Sequence, residues 1–296
     1  MKKRIAKIAI SVLTVAVVIV SCVGFAACGS KAEYLFGKET TSLGAQMDVL
    51  TNMSNGSADI GVMDSVMANY YMSNGDYKNK MEILPFYLSE EEYGIGAKKG
   101  NDALTEKINE GMIALAKSGE LKTIADKFGL ASELLINADT VNPVQNATDE
   151  SWNEVVRSKK LIVGITIFAP IAYYENSVLT GFDIELSKAV IAYLNENYSV
   201  SVEPEYDVID WNTKEAKLEN GSIDLVWNGM TINDQRKEGM SLSIPYLANK
   251  QSIIIMKSDK SNYDLTSLET FKSSASDKIV AVEAGSAAEE LMIIKK

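Results

Sequence analysis

Two carboxylates, Glu175 and Glu283, could act as a positioned acid or base, although nothing around them in the sequence singles either one out. Ser286 and the amide of Ala287 stand where a helix begins, and the free N–H groups of a helix start suit an anion. Arg236 offers a planar fork of donors that matches a carboxylate. Against that, a single arginine among 29 basic residues is most often a solvated surface charge. Asp64 follows the apolar run Ile60-Gly61-Val62-Met63 and reads equally well as a cap for a helix over 65–72. Phe168 reads equally as core, and Trp211 and Trp227 read as structural. Tyr173 and Tyr174 are adjacent, so one of them faces inward, and Tyr173 is the one favoured.

What the chain lacks narrows its chemistry further. It has no His, which excludes a Ser-His-Asp triad, a Cys-His pair and a His-ligated zinc. No metal, cofactor or enzymatic activity is therefore expected. The net charge of −11 argues against a nucleic-acid partner, because neutralising phosphates needs a basic face. With 46% hydrophobic and 23% charged residues, the 296-residue chain has the composition of an ordinary globular protein, long enough for two domains or one large one.

These residues must be held by alternating strands and helices. Leu104, Ile108, Met112 and Leu115 form a stripe at helical spacing after a possible Asn101-Asp102 cap, and Leu121, Ile124 and Phe128 continue a second stripe after Gly119. Residues 131–150 are rich in Asn, Asp and Thr and read mainly as a linker. Apolar runs at 58–63, 160–165, 223–227, 253–256 and 278–282, with 200–206, read as strands. Between them lie helices at 65–72, at 214–220, at 287 to the chain end, and after Asp183 as a cap. Strands separated by helices imply an α/β fold with a parallel sheet.

The N-terminal segment has a basic start (Lys2, Lys3, Arg4, Lys7), an apolar stretch and small residues, the pattern of a signal peptide over 1–27. Phe25-Ala26-Ala27-Cys28 resembles a bacterial lipoprotein cleavage box, with Ile19-Val20-Ser21-Cys22 a weaker competitor. Cys28 is thus the expected lipidation site. The expected location is extracytoplasmic, lipid-anchored to the outer face of the cell membrane. Both cysteines lie in this segment, so no disulfide is expected beyond it.

Residues 151–296 carry Leu161-Ile162-Val163-Gly164, Phe168-Ala169-Pro170, Gly181-Phe182-Asp183-Ile184-Glu185-Leu186, Asn228-Gly229-Met230-Thr231-Ile232 with Arg236, Ser243-Ile244-Pro245-Tyr246 and Gly285-Ser286. In that order they resemble the first half of the extracellular solute-binding proteins of family 3, the amino-acid-binding lipoproteins of ABC transporters. Residues 40–130 resemble the second half, through Gly56-Ser57-Ala58-Asp59-Ile60, Val62-Met63-Asp64, Glu92-Tyr93-Gly94-Ile95-Gly96 and Ile124-Ala125-Asp126-Lys127-Phe128-Gly129. The halves stand in swapped order, as in a circular permutant or the middle of a tandem pair. Gly29-Ser30-Lys31-Ala32-Glu33-Tyr34-Leu35 also matches Gly285-Ser286-Ala287-Ala288-Glu289-Glu290-Leu291 at five of seven positions.

The resemblance implies a two-lobed periplasmic-binding-protein-like (type II) α/β fold with discontinuous lobes joined by a hinge. Lobe 2 would comprise 28–95 and 248–296, and lobe 1 would comprise 96–130 and 151–247. Crossing strands are expected near 92–99 and 246–256. The resemblance also implies a site in which Arg236 grips the carboxylate of an amino acid and Asp64 its ammonium. Thr231, Gly229, Asn228, Ser286 and Ala287 add donors, and Phe168 and Tyr173 wall the apolar part. The partners so implied are an amino acid, a membrane ABC permease, and the membrane itself through the lipid. The competing readings are an enzyme on the same fold (a dehydratase or a peptidoglycan-cleaving relative) and a ligand-sensing module.

Overall fold

In the computed structural model, residues 33–73, 76–137 and 139–294 are described; Cys28, Cys22 and the signal segment lie outside them. One mixed sheet forms the spine. Its strands are β1 (Glu39–Leu43), β2 (Ile60–Asp64), β3 (Met81–Lys98), β4 (Lys160–Ile165), β5 (Glu203–Val208), β6 (Leu225–Thr231), β7 (Met240–Leu242), β8 (Leu247–Met256) and β9 (Ile279–Glu283). They run in the order β1-β9-β2-β8-β3-β6-β4-β5, with β7 attached to β3.

Each end of this sheet is a parallel arm. β9 pairs in parallel with β1 and β2, and β4 with β5 and β6. The middle is not parallel as expected. β8 runs antiparallel to both β2 and β3, and β3 runs antiparallel to β6. The reason lies in β3, an 18-residue strand that starts in one arm beside β8 and ends in the other beside β6. A strand that crosses between two parallel arms cannot be parallel to both. The strands central to each arm, β2, β4, β6 and β9, are nearly all buried, as a sheet covered on both faces requires.

Both sequence halves build both arms. The first arm takes β1 and β2 from the early chain and β9 from the late chain. In the second arm, helix Asp102–Ser118 packs on helix Phe182–Tyr198. At their contact the absence of a side chain matters: a Cβ on Gly111 would lie 2.6 Å from Val190 Cγ1. The halves therefore meet within one chain. Residues 131–137 and 139–150 are tied down at several points. Leu134 bridges to Leu247, the amides of Asn146 and Ala147 donate to Glu106, and Asp149 accepts from the Ala103 amide at 2.8 Å.

Several sequence expectations need correcting. Asp183 does not cap its helix; the helix begins at Phe182 after Gly181, and Asp183 is buried in its first turn. The last helix stops at Met292, because Ile293–Ile294 pairs as a strand with Glu33–Tyr34. The crossing strand is β3 from Met81, far longer than 92–99. Strand Glu39–Leu43 and helices Gln46–Ser54 and Ser151–Ser158 are further elements, which the sequence pattern did not show.

Candidate functional site

Two strand ends and two turns converge where the arms meet. Arg236 sits on the short helix Asp234–Gly239, five residues beyond the end of β6. Asn233 caps that helix, its Oδ1 accepting from the Arg236 amide at 2.8 Å, which fixes where the side chain starts. The guanidinium is 3% exposed. Nη1 donates to the Thr231 carbonyl at 2.6 Å, Nη2 donates to the Gly285 carbonyl at 3.3 Å, and Glu290 lies at 3.6 Å. Nε is buried with no partner.

Across from it, Asp64 ends β2, and its carboxylate is ringed by amides. It accepts from Gln46, from Asn249 at 2.6 Å and from Gln251 at 2.6 Å. Its pKa is nevertheless pushed up to about 7. Burial is the main cause and nearby Glu91 the second; the three amides oppose them. Glu283, at the end of β9, is 5% exposed and pushed up to about 8, by burial first and then by Asp64, with Lys214 opposing. Glu91, on β3, shares the same donors: its Oε2 accepts from Thr231 Oγ1 at 2.8 Å, Gln251 at 2.9 Å and Asn249 at 3.1 Å.

Arg236, Asp64, Thr231, Gly229, Asn228, Ser286, Ala287 and Phe168, all singled out from the sequence, line one cavity of about 10 Å³. That is room for about one water. Gly229 has φ of 61°, and a Cβ there would lie 2.8 Å from the Phe168 ring, so the backbone and the ring close on each other. The Gly229 amide donates to Asp183 at 2.9 Å, as does the Tyr246 hydroxyl at 2.8 Å; burial holds the Asp183 pKa at about 7. The Asn228 amide lies 2.7 Å from Thr166 Oγ1. The Ser286 hydroxyl donates to the Glu283 carbonyl at 2.7 Å and accepts from the Glu289 amide at 3.2 Å, so it is engaged in capping.

Tyr173 is not in this lining. It lies on a hairpin strand, Tyr173–Glu175, with its ring 6.0 Å from that of Tyr70. Trp211, which read as structural, does line the cavity, as do Gln46, Thr166 and Glu283. Gln46 and Glu91 carry no local signal; a polar residue on a helix face and a charge in an acidic run look like solvated surface until the arms are brought together.

The arms touch through polar groups at this point. Lys214, 2% exposed, donates to the Gly285 carbonyl at 3.0 Å, beside Arg236. Burial and the neighbouring Arg236 lower its pKa. Asn233 donates to Glu290 at 2.7 Å.

A small cavity lined by a buried guanidinium and buried carboxyls, between two parallel-sheet arms joined by the crossing strand β3, defines a two-lobed fold of type II. Residues 161–290 match the model of the bacterial extracellular solute-binding proteins, family 3. The arginine-binding extracellular protein ArtP of Bacillus subtilis is 34% identical over 134 residues, 45% of this chain and 47% of its own length. The probable amino-acid-binding protein YxeM of the same organism is 29% identical over 117 residues, 40% of this chain and 39% of its own. The L-cystine-binding protein TcyJ of Escherichia coli is 28% identical over 120 residues, 40% and 43% of the two chains. The chain thus spans less than half the length of the curated relatives it matches. Among solved structures, a polar amino acid ABC uptake transporter substrate-binding protein from Streptococcus thermophilus is 36% identical, with a TM-score of 0.27 over 31% of this chain and 33% of its own. Among the described residues, no helix is long and apolar enough to cross a membrane.

Proposed function

We propose that this chain binds an amino acid between the two arms of its sheet and delivers it to an ABC permease. The observation that carries the reading is the buried Arg236, with Nε unpartnered, in one cavity with the buried carboxyl of Asp64. An α-amino acid presents a carboxylate and an ammonium a fixed distance apart, and these two groups complement it. Arg236, Thr231, Gly229 and Asn228 take the carboxylate, aided by Ser286 and Ala287. Asp64 takes the ammonium, and Phe168 walls the side chain. The names of the relatives, all amino-acid-binding proteins, support the same class of ligand.

A cavity of about 10 Å³ admits no amino acid, so the arms must part for entry. The contacts of Arg236 and Lys214 with Gly285, and of Asn233 with Glu290, are the ones that break. A ligand touching both arms then stabilises closure by its greater affinity for the closed form. In this scheme the lobes are 28–95 with 248–296 and 96–130 with 151–247, and 131–150 joins the swapped halves. A lipid on Cys28 holds the protein at the outer face of the membrane, near the permease. Calorimetric titration of the purified chain with the standard amino acids tests the core of this. At least one amino acid binds, and Arg236→Ala abolishes that binding; a folded sample silent to all of them ends the reading.

A second reading, an enzyme on the same fold, draws on Asp64 and Glu283, whose carboxyls exchange protons near neutral pH. It requires chemical change in the bound molecule, which chromatography of the released ligand reveals.

A further inference from the structure

We propose that the ligand carries a second cationic group on its side chain, and that Glu283 is the residue that selects it. This rests on the amino-acid reading above and narrows it.

The cavity is lined by one cation, Arg236, and by two carboxyls, Asp64 and Glu283, which are 6% and 5% exposed. Among the described residues, no Lys or Arg is ion-paired with Asp64, Glu283 or the adjoining Glu91. The nearest buried cations are committed elsewhere. Arg236 faces Glu290 and two carbonyls, and Lys214 is held by Glu215 at 3.0 Å and by the Trp211 and Gly285 carbonyls.

A zwitterionic amino acid with a neutral side chain brings one carboxylate for Arg236 and one ammonium for Asp64. Glu283 is then left buried with hydrogen bonds from Gln46 but no cation, where an ionised carboxylate is costly. It must either keep a proton or repel Asp64, the neighbour whose charge already disfavours its own. A ligand with a second cation removes that conflict, because the added charge pairs with Glu283 and lets both carboxyls ionise. An acidic side chain would make it worse. The unpartnered, fully buried Arg236 Nε marks the same cavity independently as one built for a polar molecule.

The test is a calorimetric panel on the purified chain: arginine, lysine and ornithine against glutamine, leucine and glutamate. The cationic members bind at least about tenfold tighter than glutamine or leucine, as expected for a desolvated charge pair. Their binding releases protons, read as heats that differ between buffers of different ionisation enthalpy. In Glu283→Gln the preference for arginine over glutamine falls to less than about threefold, and proton release shrinks. The wild-type panel stands alone should the variant fold poorly. Neutral amino acids binding as tightly as cationic ones would overturn the role of Glu283 and leave the amino-acid reading intact. Silence from every amino acid would remove both.

Discussion

Arg236 of one arm and Gly285 of the other are joined directly: guanidinium Nη2 donates to the glycine carbonyl at 3.3 Å, and Lys214 donates to the same oxygen at 3.0 Å. A single main-chain carbonyl thus receives two buried cations from across the cleft. Lys214→Met keeps the aliphatic volume and removes one of the two. A charged hydrogen bond of this kind is worth about 1.5–3 kcal/mol. The variant should therefore bind its amino acid about tenfold or more weakly, with a larger radius of gyration in solution scattering. An unchanged radius and affinity would show that Gly285 does not hold the arms together.

Gly111 has no room for a side chain against Val190. Gly111→Ala should lower stability by about 1–3 kcal/mol through overpacking, visible as a drop in thermal midpoint. Gly111→Ala combined with Val190→Ala should recover part of the loss. This pair reports on contact between the early and late parts of the sequence, since the two residues belong to different halves.

Without ligand, stability should fall as pH rises through neutrality. Asp64, Asp183 and Glu283 have folded pKa values raised to about 7, 7 and 8, from 3.8, 3.8 and 4.5. Between those limits the folded protein holds more protons than the unfolded chain, so raising the pH favours unfolding. The titratable groups that act on these carboxyls are Glu91 on Asp64, Asp64 and Lys214 on Glu283, and the Tyr246 hydroxyl on Asp183. Thermal midpoints measured across this range should decline, and Asp64→Asn with Glu283→Gln should flatten the slope. A rising midpoint would contradict the burial of these carboxyls.

Gly229→Ala should be more damaging than its size suggests. It combines a left-handed backbone with a Cβ 2.8 Å from the Phe168 ring and 3.0 Å from the Tyr93 ring. Amino-acid binding should be lost at conditions where the protein remains folded by circular dichroism. Phe168→Ala in the same background should restore space but not the wall of the site.

Much of the cavity lining was legible in the sequence because its residues sit in short runs of distinctive pattern. Asn228-Gly229-Met230-Thr231 lies on a buried strand, and Arg236 follows it at a fixed interval. What stayed hidden is chemistry assembled from a distance. Gln46 and Asn249 reach Asp64 from 18 and 185 residues away, and no local pattern marks them. Tyr173, which the family resemblance implies as a wall of the site, lies on a hairpin with its ring 6.0 Å from that of Tyr70. Parallel strands were readable as apolar runs, whereas β3 was not. Its burial alternates over its first half and is continuous only from Tyr93 to Ala97, so it resembles two unrelated segments.

That long strand sets the manner in which the molecule can move. Because β3 belongs to both arms, beside β8 in one and beside β6 in the other, the arms share a ribbon rather than a slack tether. Irregular register falls between Gly94 and Gly96 on β3, and between Lys250 and Ser252 on β8. Such bulges are where a ladder is already interrupted and bends at least cost. The ribbon therefore yields beside Glu91 and Gln251, the two residues that share a hydrogen bond next to Asp64. In the scheme proposed above, the pivot and the recognition chemistry are one and the same place, and the ligand acts on the fulcrum directly.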